Sequence, residues 1–246
     1  MSAKPLRLIT LPISHYCEKV RWALDRQGIA YREEAHAPIF HRLYTLPLTG
    51  GKSRTVPILV DENVTPRRVL SDSTDCLRYL AEHYGASWLY APPEAAALED
   101  EMDRKLGPST RRFAYFHLLP DPRTVEVLTE HTPSWEAALT RPLFPLIRLA
   151  MRRGMRIDAE GAARSQQTLR ELLHSYSERL GDGRKYLCGD SFSVADLSLA
   201  TLATPVLFPT GYAKITIPPL SELPRALREE VELQRQTRAG QLVLRL

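Results

Sequence analysis

Strand-length apolar runs in this chain occur only before Ser71, and beyond Pro92-Pro93 every apolar pattern has the spacing of a helix. One sheet must therefore be built from the first third of the molecule, and the rest must be helical. Leu6–Leu11 reads as a strand that Pro12 ends, because proline has no N–H to give to a ladder. Val20, Ala23, Leu24 and Gln27 recur at helical spacing from about Tyr16, with Lys19, Arg21 and Asp25 expected on the outer faces and Gly28 as the C-terminal stop. Ile29–Glu33 alternates as a second strand. After a Pro- and Gly-punctuated connection, Val56–Val60 gives a third strand and Arg67–Leu70 a fourth. A helix from Thr74 through Leu77, Leu80, Ala81 and Tyr84 is then closed by Gly85.

The pattern is β-α-β, a long connection, then β-β-α, which fits a small mixed sheet flanked by helices. The fold class is α/β followed by all-α, with domains expected at 1–85 and 95–246 and a linker at 86–94. Within the helical part, 95–118 is expected to break at Gly107-Pro108, 159–180 to form a long helix, and 193–202 to form a strongly apolar one.

Composition excludes several classes. At 246 residues, 43% hydrophobic and 25% charged, the chain has the make-up of a globular protein, and no run of about 18 apolar residues would span a bilayer. Met1–Pro5 lacks the apolar core of a secretory signal, so a cytoplasmic location is expected. Cys17, Cys76 and Cys188 are too few and too scattered for a disulfide framework, and no paired Cys/His spacing suits zinc, so reduced thiols and no metal are expected. The 33 basic and 29 acidic residues are interleaved rather than gathered into arms, which argues against nucleic acid and leaves a modest preference for small acidic ligands.

Ser14-His15-Tyr16-Cys17 lies between the first strand and the first helix. A hydroxyl stands at the first position of an S-x-x-C element where a dithiol oxidoreductase carries a cysteine. The motif can hold a thiol but cannot close its own disulfide, which points to handling the thiol of another molecule.

Taken together, Ser14, Tyr16, Lys19, Val20 and Arg21, then Val56-Pro57, then Asp72-Ser73, and in the second half Tyr186-Leu187-Cys188-Gly189-Asp190 followed by Phe192–Leu197, resemble the motifs of the glutathione S-transferase superfamily in their order and spacing. Two departures are His15, where many members have proline, and a longer loop through Gly50-Gly51-Lys52. The resemblance implies a thioredoxin-like N-terminal domain, an all-helical C-terminal domain, glutathione as co-substrate, a small hydrophobic electrophile and a homodimer. The activity it implies is conjugation of the detoxification type.

On that resemblance Ser14 is the catalytic hydroxyl, donating to the glutathione sulfur while the helix N-terminus adds positive potential; the bland alternative is a helix cap. Cys17, one turn into the helix, is expected to pack as a small apolar group, and if exposed it would instead make the chain a glutathione thiol transferase. His15 and Tyr16 flank the sulfur position, with a surface role the alternative for the histidine. Val56, before a Pro57 expected to be cis, would pair its backbone with the cysteinyl part of the peptide. Asp72 and Ser73 would hold the γ-glutamyl ammonium and carboxylate, or merely cap a helix. Lys52 and Arg54 would meet the glycine carboxylate, or stay solvated. A non-catalytic glutathione-binding module and an isomerase using glutathione as cofactor are further readings. The electrophile is expected against the helix bearing Arg111, Phe113, Tyr115, Phe116 and His117, whereas Ser193–Asp196 reads as a structural capping box preceded by Phe192.

Overall fold

The computed structural model describes residues 4–210 and 215–246. Strands β1 (Leu6–Thr10), β2 (Tyr31–Ala35), β3 (Ile58–Asp61) and β4 (Arg68–Leu70) form one sheet in the order β2-β1-β3-β4. β1 and β2 run parallel across helix α1 (His15–Gln27), while β3 is antiparallel to both β1 and β4. Helix α3 (Ser73–His83) follows β4, completing the thioredoxin-like βαβ-ββα order.

Both faces of the sheet are dry. Ile9, Ile58 and Val60 form a buried cluster with Tyr44, Leu48, Val56 and Val69, while the intervening Leu8 and Leu59, which point to the other face, are also fully buried. Tyr44 and Leu48 belong to a helix that the sequence pattern does not announce, α2 (Arg42–Leu48), with Pro47 inside it. At the far end of α1, Gly28 takes the left-handed conformation (φ 68°) that lets its N–H cap the carbonyls of Leu24 and Asp25.

Two compact units divide the chain. One comprises the segment ending at Ser87 together with Val125–Ile147, a stretch that sequence places with the helical part. It holds helix α6 (Thr124–Thr129) from Val125 on and the first turns of α7 (Ser134–Met155). Its anchor is Glu136, fully buried, which accepts the Ala37 N–H at 2.7 Å and meets His36 Nδ1 at 2.8 Å. The His36 ring stacks on Tyr44 at 3.6 Å, and Trp135 meets Phe40 edge-on. A carboxylate buried against a histidine and a backbone amide ties this stretch to the segment after β2.

Asp61, at the end of β3, is buried and accepts hydroxyl bonds from Tyr79 at 2.8 Å and from Tyr84, with the Asn63 N–H at 2.7 Å. Burial alone would push this carboxyl up, but these donors outweigh it and hold its pKa below the ordinary carboxylate range. Asp61→Ala leaves the Tyr79 hydroxyl without its acceptor and is expected to cost about 1–3 kcal/mol in a denaturant titration. Because the folded-state pKa is depressed, the contribution is complete above the unfolded value near 3.9 and is lost as pH falls through the folded one, so the wild-type and Asp61→Ala curves converge in acid.

The second unit is Trp88–Thr124 with Arg148–Leu246. Helices α4 (Ala95–Glu101) and α5 (Gly107–Leu118) are joined by a π-helical turn, Met102–Leu106. The expected break at Gly107-Pro108 is therefore absent, because the wider turn accommodates a proline within the first two positions of α5, where its missing N–H costs little. Helix α8 (Ala159–Arg179) packs on α5. Helix α9 (Val194–Leu202) is buried on every side and is followed by the short α10 (Thr204–Leu207) and by α11 (Arg225–Arg235) and α12 (Arg238–Arg245).

The capping box at α9 forms as expected: Ser193 Oγ accepts the Ala195 N–H at 3.3 Å and Asp196 accepts the Ser193 N–H at 3.0 Å. Asp196 also accepts the Leu187 N–H at 2.8 Å, fixing the turn before the helix. Buried Glu230 joins α11 to α8 through Gln166 at 2.7 Å and Arg170 at 2.5 Å.

Candidate functional site

Strand directions gather the sequence-selected residues at one edge of the sheet. β1 ends at Thr10 and delivers Ser14, while β3 runs the opposite way and so begins beside that end. With Ile9 opposite Ile58, Val56 and Pro57 lie just past the last paired residues, alongside Leu11 and Thr10. β4 runs antiparallel to β3 and ends at Leu70, opposite Leu59, so Asp72 and Ser73 emerge at the same edge. The Val56–Pro57 bond is cis, as expected, and the strand starts one residue later, at Ile58. A second cis bond, Thr65–Pro66, lies outside this edge and was not foreseen.

Ser14 is the N-cap of α1. Its Oγ accepts the Cys17 N–H at 3.3 Å, which uses one lone pair of the hydroxyl and leaves the hydroxyl hydrogen to be donated elsewhere. Capping and donation to a ligand are thus compatible at one atom. Ser14 is half-buried, whereas Cys17 is fully buried. Burial pushes the Cys17 thiol up, against the opposing pull of the Arg21 charge and the Ser14 hydroxyl.

Two residues of the first helix lie where the sequence pattern does not put them. Lys19, expected on an outer face, is 0% exposed, and Arg21 is 5% exposed. A helical period sorts charges outward by default; here Arg21 is buried because its whole fork is paired. Nε meets Glu33 Oε1 at 2.7 Å, Nη1 meets Glu18 at 2.7 Å, and Nη2 donates to the carbonyls of Leu11 at 3.2 Å and Pro12 at 3.4 Å. Glu33 also accepts the Thr10 hydroxyl at 2.6 Å. One guanidinium therefore binds the end of β1, the middle of β2, the first turn of α1 and the turn that carries Ser14. Burial opposes its charge, yet the neighbouring Cys17, Glu33 and Glu18 raise its pKa.

His15 is 3% exposed, which removes the surface role weighed for it; its ring lies 4.6 Å from that of half-buried Tyr16. Asp72 is the exposed N-cap of α3, accepting the Thr74 N–H at 2.8 Å, and Ser73 is the buried first residue of that helix. The N-terminus of this helix, with its positive potential, offers a place for a carboxylate. Lys52 and Arg54 are exposed on the connection before β3, and the Arg54 carbonyl accepts from His41 Nε2 at 3.0 Å. Cys76 is buried and its thiol is pushed up by burial; half-buried Cys188 is shifted the same way for the same reason.

In the second unit, α5 carries the aromatic and basic residues selected from sequence. Phe113 belongs to the core. Arg111, Tyr115, Phe116 and His117 are half-buried; burial pushes the Tyr115 phenol up to about 12 and lowers the His117 pKa.

The profile described as glutathione S-transferase, N-terminal domain, matches residues 8–88, and that described as glutathione S-transferase, C-terminal domain, matches residues 159–228. A search of curated proteins finds no match. Among solved structures, poplar glutathione transferase F1 is 17% identical with a TM-score of 0.58, covering 99% of this chain and 98% of that one. Glutathione transferase GSTFuA3 from Phanerochaete chrysosporium is 20% identical with a TM-score of 0.62, over 83% of this chain and 87% of that one. A glutathione transferase from Burkholderia graminis, with two glutathione molecules bound per subunit, is 19% identical with a TM-score of 0.60, over 98% of this chain and 82% of that one. At these identities the likeness shows the fold. With N-terminal and C-terminal domains of one family matched in order over more than half of its length, the chain belongs to the glutathione S-transferase superfamily.

Proposed function

We propose that the chain binds glutathione and transfers it, as the thiolate, to a hydrophobic electrophile, with Ser14 as the catalytic hydroxyl. The observation that carries this reading is the convergence of Ser14, Val56-Pro57 and Asp72-Ser73 on one sheet edge, with the Cys17 thiol buried beneath it. Val56 presents strand-like backbone to the cysteinyl residue, and the α3 N-terminus with Ser73 takes the γ-glutamyl carboxylate while Asp72 faces the ammonium group. His15 and Tyr16 border the sulfur, and Lys52 and Arg54 serve the glycine carboxylate. Glutathione bound in the relative from Burkholderia graminis supports the choice of ligand.

The thiol loses its proton to solvent, and the Ser14 hydroxyl donates to the anion while the N-terminus of α1 adds positive potential. The sulfur then attacks an electrophilic carbon; with an aryl halide, the S–C bond forms and halide leaves with the electron pair. Ser14 is never deprotonated. A Cys17-dependent redox enzyme would need a reachable, acidified thiol, and burial with a raised pKa opposes both.

Family membership also supports a cytoplasmic homodimer, with the residues up to 85 as the glutathione-binding domain. Among the described residues, no helix is long and apolar enough to cross a membrane. Calorimetry with glutathione, paired with turnover of an activated aryl halide, tests the reading. Binding with turnover is expected. Binding without turnover of electrophiles or mixed disulfides identifies a binding module, and no binding at millimolar glutathione rejects the site.

A further inference from the structure

Helix α7 carries two stripes with one spacing. Glu136, Thr140, Phe144 and Ile147 recur at i, i+4, i+8 and i+11 and are buried. One residue back, and so about 100° around the helix, Trp135, Leu139, Leu143 and Leu146 recur at the same spacing and are exposed, Leu146 by 66%. The bare stripe continues beyond the helix. Trp135 meets the Phe40 ring edge-on at 5.4 Å, and to either side of Phe40 the chain exposes Ile39 and Leu43, the latter by 61%. Ile39 has φ 75°, a left-handed conformation that strains a β-branched residue, and yet its side chain is exposed rather than used in the core. All six exposed residues belong to the unit that joins the segment ending at Ser87 to Val125–Ile147. They are six of the eleven large hydrophobic side chains exposed among the described residues, so this is a patch and not scattered exposure.

The patch has basic surroundings. No acidic residue occurs from Ala35 to Val60 or from Ala137 to Ile157. Glu136 is the one carboxylate of α7 and is buried on His36 and the Ala37 N–H, whereas Arg141, Arg148, Arg152 and Arg153 lie along the same helix. Arg141 meets Glu126 in an exposed pair. Arg42, beside Leu43, and Arg152 and Arg153 are exposed and pair with no carboxylate among the described residues. An apolar stripe that begins at a tryptophan and is accompanied by arginines is the pattern of a helix that lies on a membrane surface. A second copy seated here would set one arginine-bearing face against another, whereas anionic headgroups complement it. An acidic protein that wraps a helix is blocked, because the neighbouring stripe of α7 is already buried.

We propose that this face docks the protein peripherally on an anionic lipid bilayer. The exposed leucines, Ile39 and Trp135 enter the boundary between headgroups and acyl chains, and the arginines of α7 with Arg42 meet lipid phosphates and carboxylates. The proposal does not rest on the transferase reading, because no residue of the Ser14 edge takes part.

Co-sedimentation of the full chain with vesicles tests it, using phosphatidylcholine alone and phosphatidylcholine with about a third phosphatidylserine. Wild-type protein is expected to bind the anionic vesicles at least tenfold more tightly than the neutral ones, and to bind more weakly as salt is raised. The double variant Leu43→Ser/Leu146→Ser removes two exposed side chains without touching the core, so its melting temperature should be unchanged while partitioning falls roughly ten- to a hundredfold. Arg152→Gln/Arg153→Gln should lose roughly tenfold on anionic vesicles and nothing on neutral ones. Failure of the wild type to bind anionic vesicles overturns the proposal, as does binding indifferent to lipid charge or equal binding by the leucine variant. A wild type that sediments as a dimer without lipid and ignores vesicles, beside a monomeric leucine variant, would assign the face to a second copy and also overturn it.

Discussion

Ser14→Ala is expected to lower kcat for aryl-halide conjugation by about 10- to 100-fold, because a hydrogen bond to a charged group is worth about 1.5–3 kcal/mol. Glutathione affinity should change far less, since Val56, Asp72 and Ser73 hold parts of the peptide remote from sulfur. The alanine also removes a helix cap, at about 1 kcal/mol of stability. A second variant separates the two roles. Aspartate is as good an N-cap as serine, but its carboxylate is an acceptor only and sets a negative charge against the thiolate. Ser14→Asp should therefore keep the thermal stability of the wild type and lose conjugation; full activity in this variant would reduce Ser14 to a cap. Cys17→Ala, made beneath the site, should retain activity per folded molecule. Its loss, with Ser14→Ala active, would favour the redox reading.

Arg21→Met carries the second large effect. Methionine keeps much of the apolar stem but leaves Glu33, Glu18 and two loop carbonyls without their donor. Removing one partner of a buried ion pair typically costs about 3–5 kcal/mol, because the remaining charge stays desolvated. Denaturant titration should show that loss in Arg21→Met. Arg21→Lys should recover only part of it, since a single ammonium cannot span β2, α1 and the turn at once. A loss under about 1 kcal/mol would mean that Glu33 and Glu18 find water or other donors, and that the clamp is unimportant. In the folded fraction, the loosened turn should also reduce kcat, because the Ser14 hydroxyl is then less sharply placed.

Those two residues mark the limits of what the chain discloses before it folds. The S-x-x-C element, the Val-Pro step and the Asp-Ser helix start are local signals, and strand direction alone suffices to bring them to one edge. Arg21 was legible as a motif position but not as a clamp, because its partners Glu33, Leu11 and Pro12 are joined to it only by tertiary structure, and a charged residue on a helical period reads as solvated. The same default misplaced Lys19 and left a surface role open for His15. Helix α2 was hidden by its seven-residue length and by Pro47, with Gly50 and Gly51 just beyond it. The Gly107-Pro108 pair reads as a break unless a π-helical turn is allowed for. Glu136 gives no local hint of its burial against His36 and Ala37, a hundred residues earlier.

The central claim is that the Ser14 hydroxyl stabilises a glutathione thiolate. The most direct measurement is the pKa of the bound thiol, followed by ultraviolet thiolate absorbance as pH is raised with glutathione saturating. In the wild-type protein it should lie well below the free-thiol value of about 8.5, and in Ser14→Ala it should move back toward that value by about one unit or more. The same depressed pKa in both proteins would contradict the claim.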